Sequence, residues 1–90
     1  PMAERTAVIA SRVGLHARPA SIFIAAVREQ GMPVTIAAAG GDPLPASSIL
    51  SLLSLGASHG DTVTLRAEGE GAEEALEKLA AVLETDLDAE

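Results

Sequence analysis

Residues 14–27, GLHARPASIFIAAV, are the stretch on which the fold turns. Ala20, Phe23, Ile24 and Val27 fall at i, i+3, i+4 and i+7, so their side chains share one stripe of an α-helix. Pro19 belongs in the first turn of that helix, where its missing N–H would have had no intrahelical partner and its fixed φ already suits the helix. Just past the other end, Gly31 is a residue that takes positive φ readily and so closes a helix. The helix therefore begins at or directly after His16, and a histidine stands at its N-terminal boundary.

The elements on either side follow from periodicity. Upstream, residues 4–10, ERTAVIA, mix β-branched and small residues with no turn signal before Ser11 and read as a strand. Downstream, residues 33–39, PVTIAAA, alternate Val34 and Ile36 as a second strand, and Gly40-Gly41-Asp42 is a hairpin turn signal leading to a short third strand. Pro43 and Pro45 sit two apart and present their missing donors to the same side, which places that third strand on a sheet edge. Ser47 or Ser48 can cap a short second helix that Gly56 closes, with Ile49, Leu52 and Leu53 as the inward stripe and Leu50, together with part of Leu53, left exposed. Residues 61–68, DTVTLRAE, alternate Val63, Leu65 and Ala67 against Thr62, Thr64 and Arg66, the pattern of a half-buried strand.

Ala72, Ala75, Leu76, Leu79 and Leu83 trace a long amphipathic helix. Glu73 and Glu74 lie near its positive end, and Glu74 stands four residues before Lys78. The acidic tail ETDLDAE, 84–90, is expected to fray, and residues 1–3 are expected to be a disordered start in which Pro1, ahead of Met2, reads as a cloning remnant. The order β-α-β-β-α-β-α, with no repeat and no linker, makes residues 1–90 a single α+β domain with helices on one face of a mostly antiparallel sheet.

Composition narrows the function. A chain of 90 residues buries only ~60% of the surface its unfolded form exposes, so any site is shallow. Six Lys and Arg against thirteen Asp and Glu give a formal charge of −7, and Phe23 is the only aromatic residue, so a phosphate-neutralising face and base-stacking rings are both missing and nucleic acid is excluded as a partner. The absence of cysteine removes disulfides, thiolate catalysis and zinc–thiolate sites. No apolar run of ~18 residues suggests membrane insertion, and PMAERT lacks the pattern of a secretory signal, so a cytoplasmic location is expected. His59, in GASHGD, reads as a solvated loop residue. Two histidines far apart, with no clustered carboxylates, make no metal site, no cofactor is implied, and no serine-hydrolase arrangement exists.

His16 is the remaining candidate for chemistry. The first-turn amides of Ala17 and Arg18 have no intrahelical acceptor and carry the positive end of the helix dipole, and the Arg18 guanidinium adds a fork of donors suited to phosphate oxygens. Histidine is the one ordinary side chain that is substantially neutral, and hence nucleophilic, near pH 7 without a partner base. A nucleophile and an anion cradle thus lie within three residues, which suggests an imidazole that takes up a phosphoryl group and passes it on. A histidine at this place also serves as a plain helix cap, and local chemistry leaves both readings open.

GLHARPASIF, 14–23, resembles the active-site signature of the HPr family, the histidine-containing phosphocarriers of the bacterial phosphoenolpyruvate-dependent sugar phosphotransferase system. SSILSLLSLG, 47–56, resembles the family's serine-containing segment, and the likeness extends over about Glu4 to Leu83. It implies an open-faced β-sandwich, a four-stranded antiparallel sheet in the order 1-4-2-3 with three helices on one face. It implies that His16 is phosphorylated on Nδ1 by phosphorylated enzyme I and passes the group to sugar-specific enzyme IIA domains, with Arg18 accompanying it. Such a carrier performs half of a transferase reaction and needs a donor and an acceptor protein. Ser48 matches a serine that an ATP-dependent kinase phosphorylates in some bacteria, which brings a serine kinase/phosphorylase and a transcription regulator into the set of implied partners. Ile49, Leu50 and Leu53 match apolar docking positions, and Arg28 on the first helix adds a basic contact. A monomer is expected.

Two features depart from the family's pattern. Val13 stands where the family usually has a small or polar residue, so any side-chain hydrogen bond from that position is lost. The family's docking face commonly carries several lysines, whereas this chain offers Arg18 and Arg28 on the first helix with Arg12 nearby, so electrostatic steering is weaker. The alternatives are a regulatory HPr-like binding protein, a nitrogen-branch or fused-system carrier, and a structural module whose histidine only caps. The presence of His16 speaks against the regulatory relative.

Overall fold

A computed structural model describes residues 2–87. Its elements run β1 (Met2–Val8), α1 (Ala17–Glu29), β2 (Val34–Ala38), β3 (Leu44–Pro45), α2 (Ile49–Leu55), β4 (Thr62–Glu68) and α3 (Ala72–Leu83). The strands form one sheet in the order β1-β4-β2-β3, with every neighbouring pair antiparallel. Central β4 sets Leu65 opposite Arg5 on one side and opposite Ile36 on the other.

The period-two pattern decides which face is covered. Val63, Leu65 and Ala67 of β4, Ala7 of β1 and Val34 and Ile36 of β2 are buried under the helices. α1 contributes Ala20, Phe23, Ile24 and Val27 to this core, and α3 contributes Ala72, Leu76, Leu79, Ala80 and Leu83. α3 lies across β1 and β4 and against α1. On the uncovered face, Glu4 and Arg66 stand directly opposite each other and pair at 2.8 Å. The molecule is an open-faced α+β sandwich with three helices on one side, as expected from the sequence.

β3 is the edge strand, and it is only two residues long. Prolines at 43 and 45 leave it little to donate, and Ala46 N–H supplies the next bond, to Val34 O at 2.9 Å.

Several expectations are corrected. Met2 and Ala3 are not a disordered start: they open β1, opposite Glu68 and Ala67, while Pro1 lies outside the described residues. β1 correspondingly ends at Val8 rather than residue 10, although Ile9 continues to bond across to Gly60 and Asp61. The expected frayed tail is anchored over residues 84–87, where Leu87 N–H reaches the Ser11 hydroxyl at 3.0 Å, and residues 88–90 lie outside the described residues. Among the described residues Glu74 and Lys78 form no ion pair; α3 is tied down instead by Glu77, 2.8 Å from Arg5 of β1.

On α2 only Leu52 is buried, so the expected inward stripe of Ile49, Leu52 and Leu53 shrinks to one residue. The helix has just seven residues and meets α1 and β3, with Leu55 partly buried against the core and Ile49, Leu50 and Leu53 left in solvent. Among the described residues no helix is long and apolar enough to cross a membrane, and no group of three or more acidic or histidine side chains is placed to hold a metal ion.

Candidate functional site

The site is assembled by the connection from β1 to α1. Past the end of β1, Ile9 N–H donates to Asp61 O at 2.9 Å and Ile9 O accepts from Gly60 N–H at 2.8 Å, so the chain leaves the sheet in a fixed direction. A turn from Ser11 to Gly14 follows, closed by Gly14 N–H to Ser11 O at 2.9 Å. Leu15 is buried and donates its N–H to Ala57 O at 3.0 Å, pinning the segment to the chain just beyond α2. Gly14 makes that approach possible: its φ is +73°, and a Cβ there would meet Ala57 O at 2.5 Å.

His16 emerges immediately after this anchor. It is the N-cap of α1, with extended backbone (φ −128°, ψ 161°), and its O accepts from Ala20 N–H at 3.4 Å. Its imidazole makes no capping bond, and the side chain is exposed. The ring is therefore not the cap: His16 holds the N-cap position through its backbone alone.

Ala17, the next residue, has φ +46° and is the only non-glycine described residue in the left-handed region. The Cβ of an alanine crowds the following carbonyl there, a cost of roughly 1–2 kcal/mol. Residues held in such conformations gather at ligand clamps and active sites, where surrounding contacts over-determine the backbone. Periodicity did not reveal Ala17, because alanine carries no signal for positive φ.

The electrostatic setting favours an anion at this end of α1. Its first turn holds no acidic residue, and the amides of a helix's first turn have no intrahelical acceptor. Arg18 is exposed and, among the described residues, makes no ion pair. Arg28 lies in the last turn of the same helix, about 15 Å further along the axis at 1.5 Å per residue, too far to share a ligand held at His16. Arg12, on the turn, lies 3.4 Å from Asp86. Val13 is exposed at the outer corner of that turn.

α2 adds an apolar surface. Leu50 is 76% exposed, Leu53 44% and Ile49 42%, and the helix contains no charged residue. Its N-cap is Ser48, not Ser47, and the Ser48 hydroxyl accepts from Ser51 N–H at 3.3 Å. The link from Leu15 to Ala57 joins the end of α2 to the His16 segment, so the two expected parts of the surface are structurally coupled. His59 is exposed in the turn before β4.

Fold and site together define a class: a small open-faced sandwich that displays a histidine at the start of its first helix. The family model for the PTS HPr component phosphorylation site matches residues 3–85, and the chain belongs to this PTS-HPr family. The phosphocarrier protein HPr of Streptomyces coelicolor is 53% identical over 79 residues, covering 88% of this chain and 85% of that protein. The HPr-like protein Crh of Bacillus subtilis is 37% identical over 86 residues, covering 96% of this chain and 100% of that protein. Among solved structures, the phosphocarrier protein HPr from Bacillus anthracis str. Ames superposes with a TM-score of 0.84 at 34% identity, covering 91% of this chain and 96% of that one.

Proposed function

We propose that this protein is a phosphocarrier that accepts a phosphoryl group on Nδ1 of His16 from phosphorylated enzyme I and delivers it to enzyme IIA domains in the cytoplasm. The observation that carries the reading is the exposed imidazole of His16, free of any capping bond, at the N-terminus of α1, with Arg18 exposed two residues on. Membership of the PTS-HPr family supports it.

The chemistry follows from these groups. The Nδ1 lone pair of neutral His16 attacks phosphorus in line; the bond from phosphorus to the donor breaks, and its electron pair stays with the donor. The ring keeps its proton on Nε2 throughout, so the step needs no separate base, and reversal onto an acceptor restores the neutral imidazole. The amides of Ala17 and Arg18 and the Arg18 guanidinium stabilise the phosphoryl oxygens, a role that depends on position and charge more than on covalent chemistry. In this reading Ile49, Leu50 and Leu53 are the apolar docking residues, and Arg28, in the last turn of α1, is a basic contact.

Incubation with enzyme I, labelled phosphoenolpyruvate and magnesium tests the proposal. Acid-labile, base-stable label on the wild type and none on His16→Ala is expected; an unlabelled wild type refutes it. Arg18→Ala is expected to slow transfer with the fold intact, and an unchanged rate removes Arg18 from the cradle.

A second reading, regulation through Ser48, draws on the similarity to Crh and on the place of Ser48 at the head of the exposed α2 patch. Its partners are a serine kinase/phosphorylase and a transcription regulator. The discriminating fact is whether ATP and a lysate of the source organism place acid-stable phosphate on Ser48.

A further inference from the structure

We propose that Ser11 is a positioning residue for His16, acting through a clasp between the Ser11–Gly14 turn and the segment that follows α3. The consequence for rate rests on the phosphocarrier reading; the clasp itself rests on hydrogen bonds alone.

Ser11 is 2% exposed and is the one buried polar residue among the described residues. Its hydroxyl donates to Thr85 O at 3.4 Å and accepts from Leu87 N–H at 3.0 Å. The main chain repeats the connection once, where Ala10 N–H donates to Leu83 O at 3.0 Å; Ser11 O closes its own turn, accepting from Gly14 N–H at 2.9 Å. Outside the clasp, Arg12 pairs with Asp86 at 3.4 Å. Residues 10–12 are thus bound at each step to residues 83–87. Two residues past the turn that they open comes His16.

His16 depends on that anchorage because its ring makes no capping bond, so its position is inherited from the backbone. Downstream the hold is weak, since the Ala20–His16 bond is 3.4 Å long and Ala17 sits at φ +46°. A strained residue of this kind persists only while its neighbours over-determine it. On the upstream side two features do so: Leu15, buried and bonded to Ala57, and the Ser11 clasp. Releasing the clasp frees residues 11–14, lets Ala17 relax, and re-aims both the imidazole and the first-turn amides.

The test uses the full chain with enzyme I, labelled phosphoenolpyruvate and magnesium, varying the carrier's concentration. Ser11→Ala removes the clasp from one side and Leu87→Pro removes its N–H donor from the other, while Ser11→Thr keeps a hydroxyl. For the first two variants kcat is expected to fall roughly tenfold with KM unchanged, a modest share of the ~100-fold that a 1 Å misplacement can cost. The His16 ring resonances shift, and the amides of Gly14 and Leu15 exchange faster relative to those of β4. Ser11→Thr is expected to restore most of the rate. A lowered unfolding midpoint with wild-type kcat and unmoved His16 resonances would overturn the proposal and leave Ser11 a purely structural residue. Should the wild type accept no phosphoryl group, the carrier reading fails, and the resonances and exchange rates still decide the clasp: unmoved, they overturn it; shifted, they sustain it.

Discussion

The α-carbon of Gly14 lies so close to the carbonyl oxygen of Ala57 that a side chain at position 14 has nowhere to go: its Cβ would stand 2.5 Å from that oxygen. The contact joins the turn before His16 to the end of α2, and through it the His16 segment and the apolar patch share one support. Gly14→Ala combines this clash with a φ of +73°, which alone costs a non-glycine residue roughly 1–2 kcal/mol. The variant is expected to lose at least that much stability in urea unfolding, and with it the Leu15–Ala57 bond. A variant as stable as the wild type would show that the two segments separate easily.

Ala17→Gly is expected to have the opposite sign. Glycine adopts the φ of +46° without crowding, and this relief outweighs its greater freedom in the unfolded chain, giving a gain of up to about 1 kcal/mol. Chemical denaturation of the two proteins reads this directly. A loss of stability would mean that Ala17 relaxes to negative φ at little cost.

Leu50 and Leu52 are two residues apart and are expected to behave in unlike ways. Leu52 is fully buried, so Leu52→Ala is expected to cost about 2–5 kcal/mol. Leu50 is 76% exposed, so Leu50→Ala is expected to leave stability within ~0.5 kcal/mol while weakening binding to enzyme I in titration calorimetry. If Leu50→Ala binds as the wild type does, the patch is not the docking face.

Ser48→Ala removes the acceptor for Ser51 N–H at the head of a seven-residue helix. A loss of ~1 kcal/mol is expected, and Ser48→Gly should lose only a few tenths. Equal losses for both, measured by thermal unfolding, would count against the cap.

How far the sequence could be read depends on the range of the interactions involved. Phe23, Ile24 and Val27 announce α1 because a stripe of apolar residues is local and repeats, and Val63, Leu65 and Ala67 announce β4 for the same reason. Ile49 and Leu53 misled, because hydrophobicity alone does not say whether a short helix is pressed on one side or on two. Met2 and Ala3 were missed as strand because only their partners Glu68 and Ala67, far along the chain, make them one.

By itself the sequence determined the order of the elements, the edge position of β3 and the place of His16 at the head of a helix, because each depends on periodicity or on proline and glycine chemistry within a few residues. Tertiary structure alone decided that the imidazole is unbonded, that Ala17 is held at positive φ, and that Ser11 is buried beneath a segment 76 residues away. These last features arise where distant stretches of chain are packed together, and contacts between such stretches leave no periodic trace in either one.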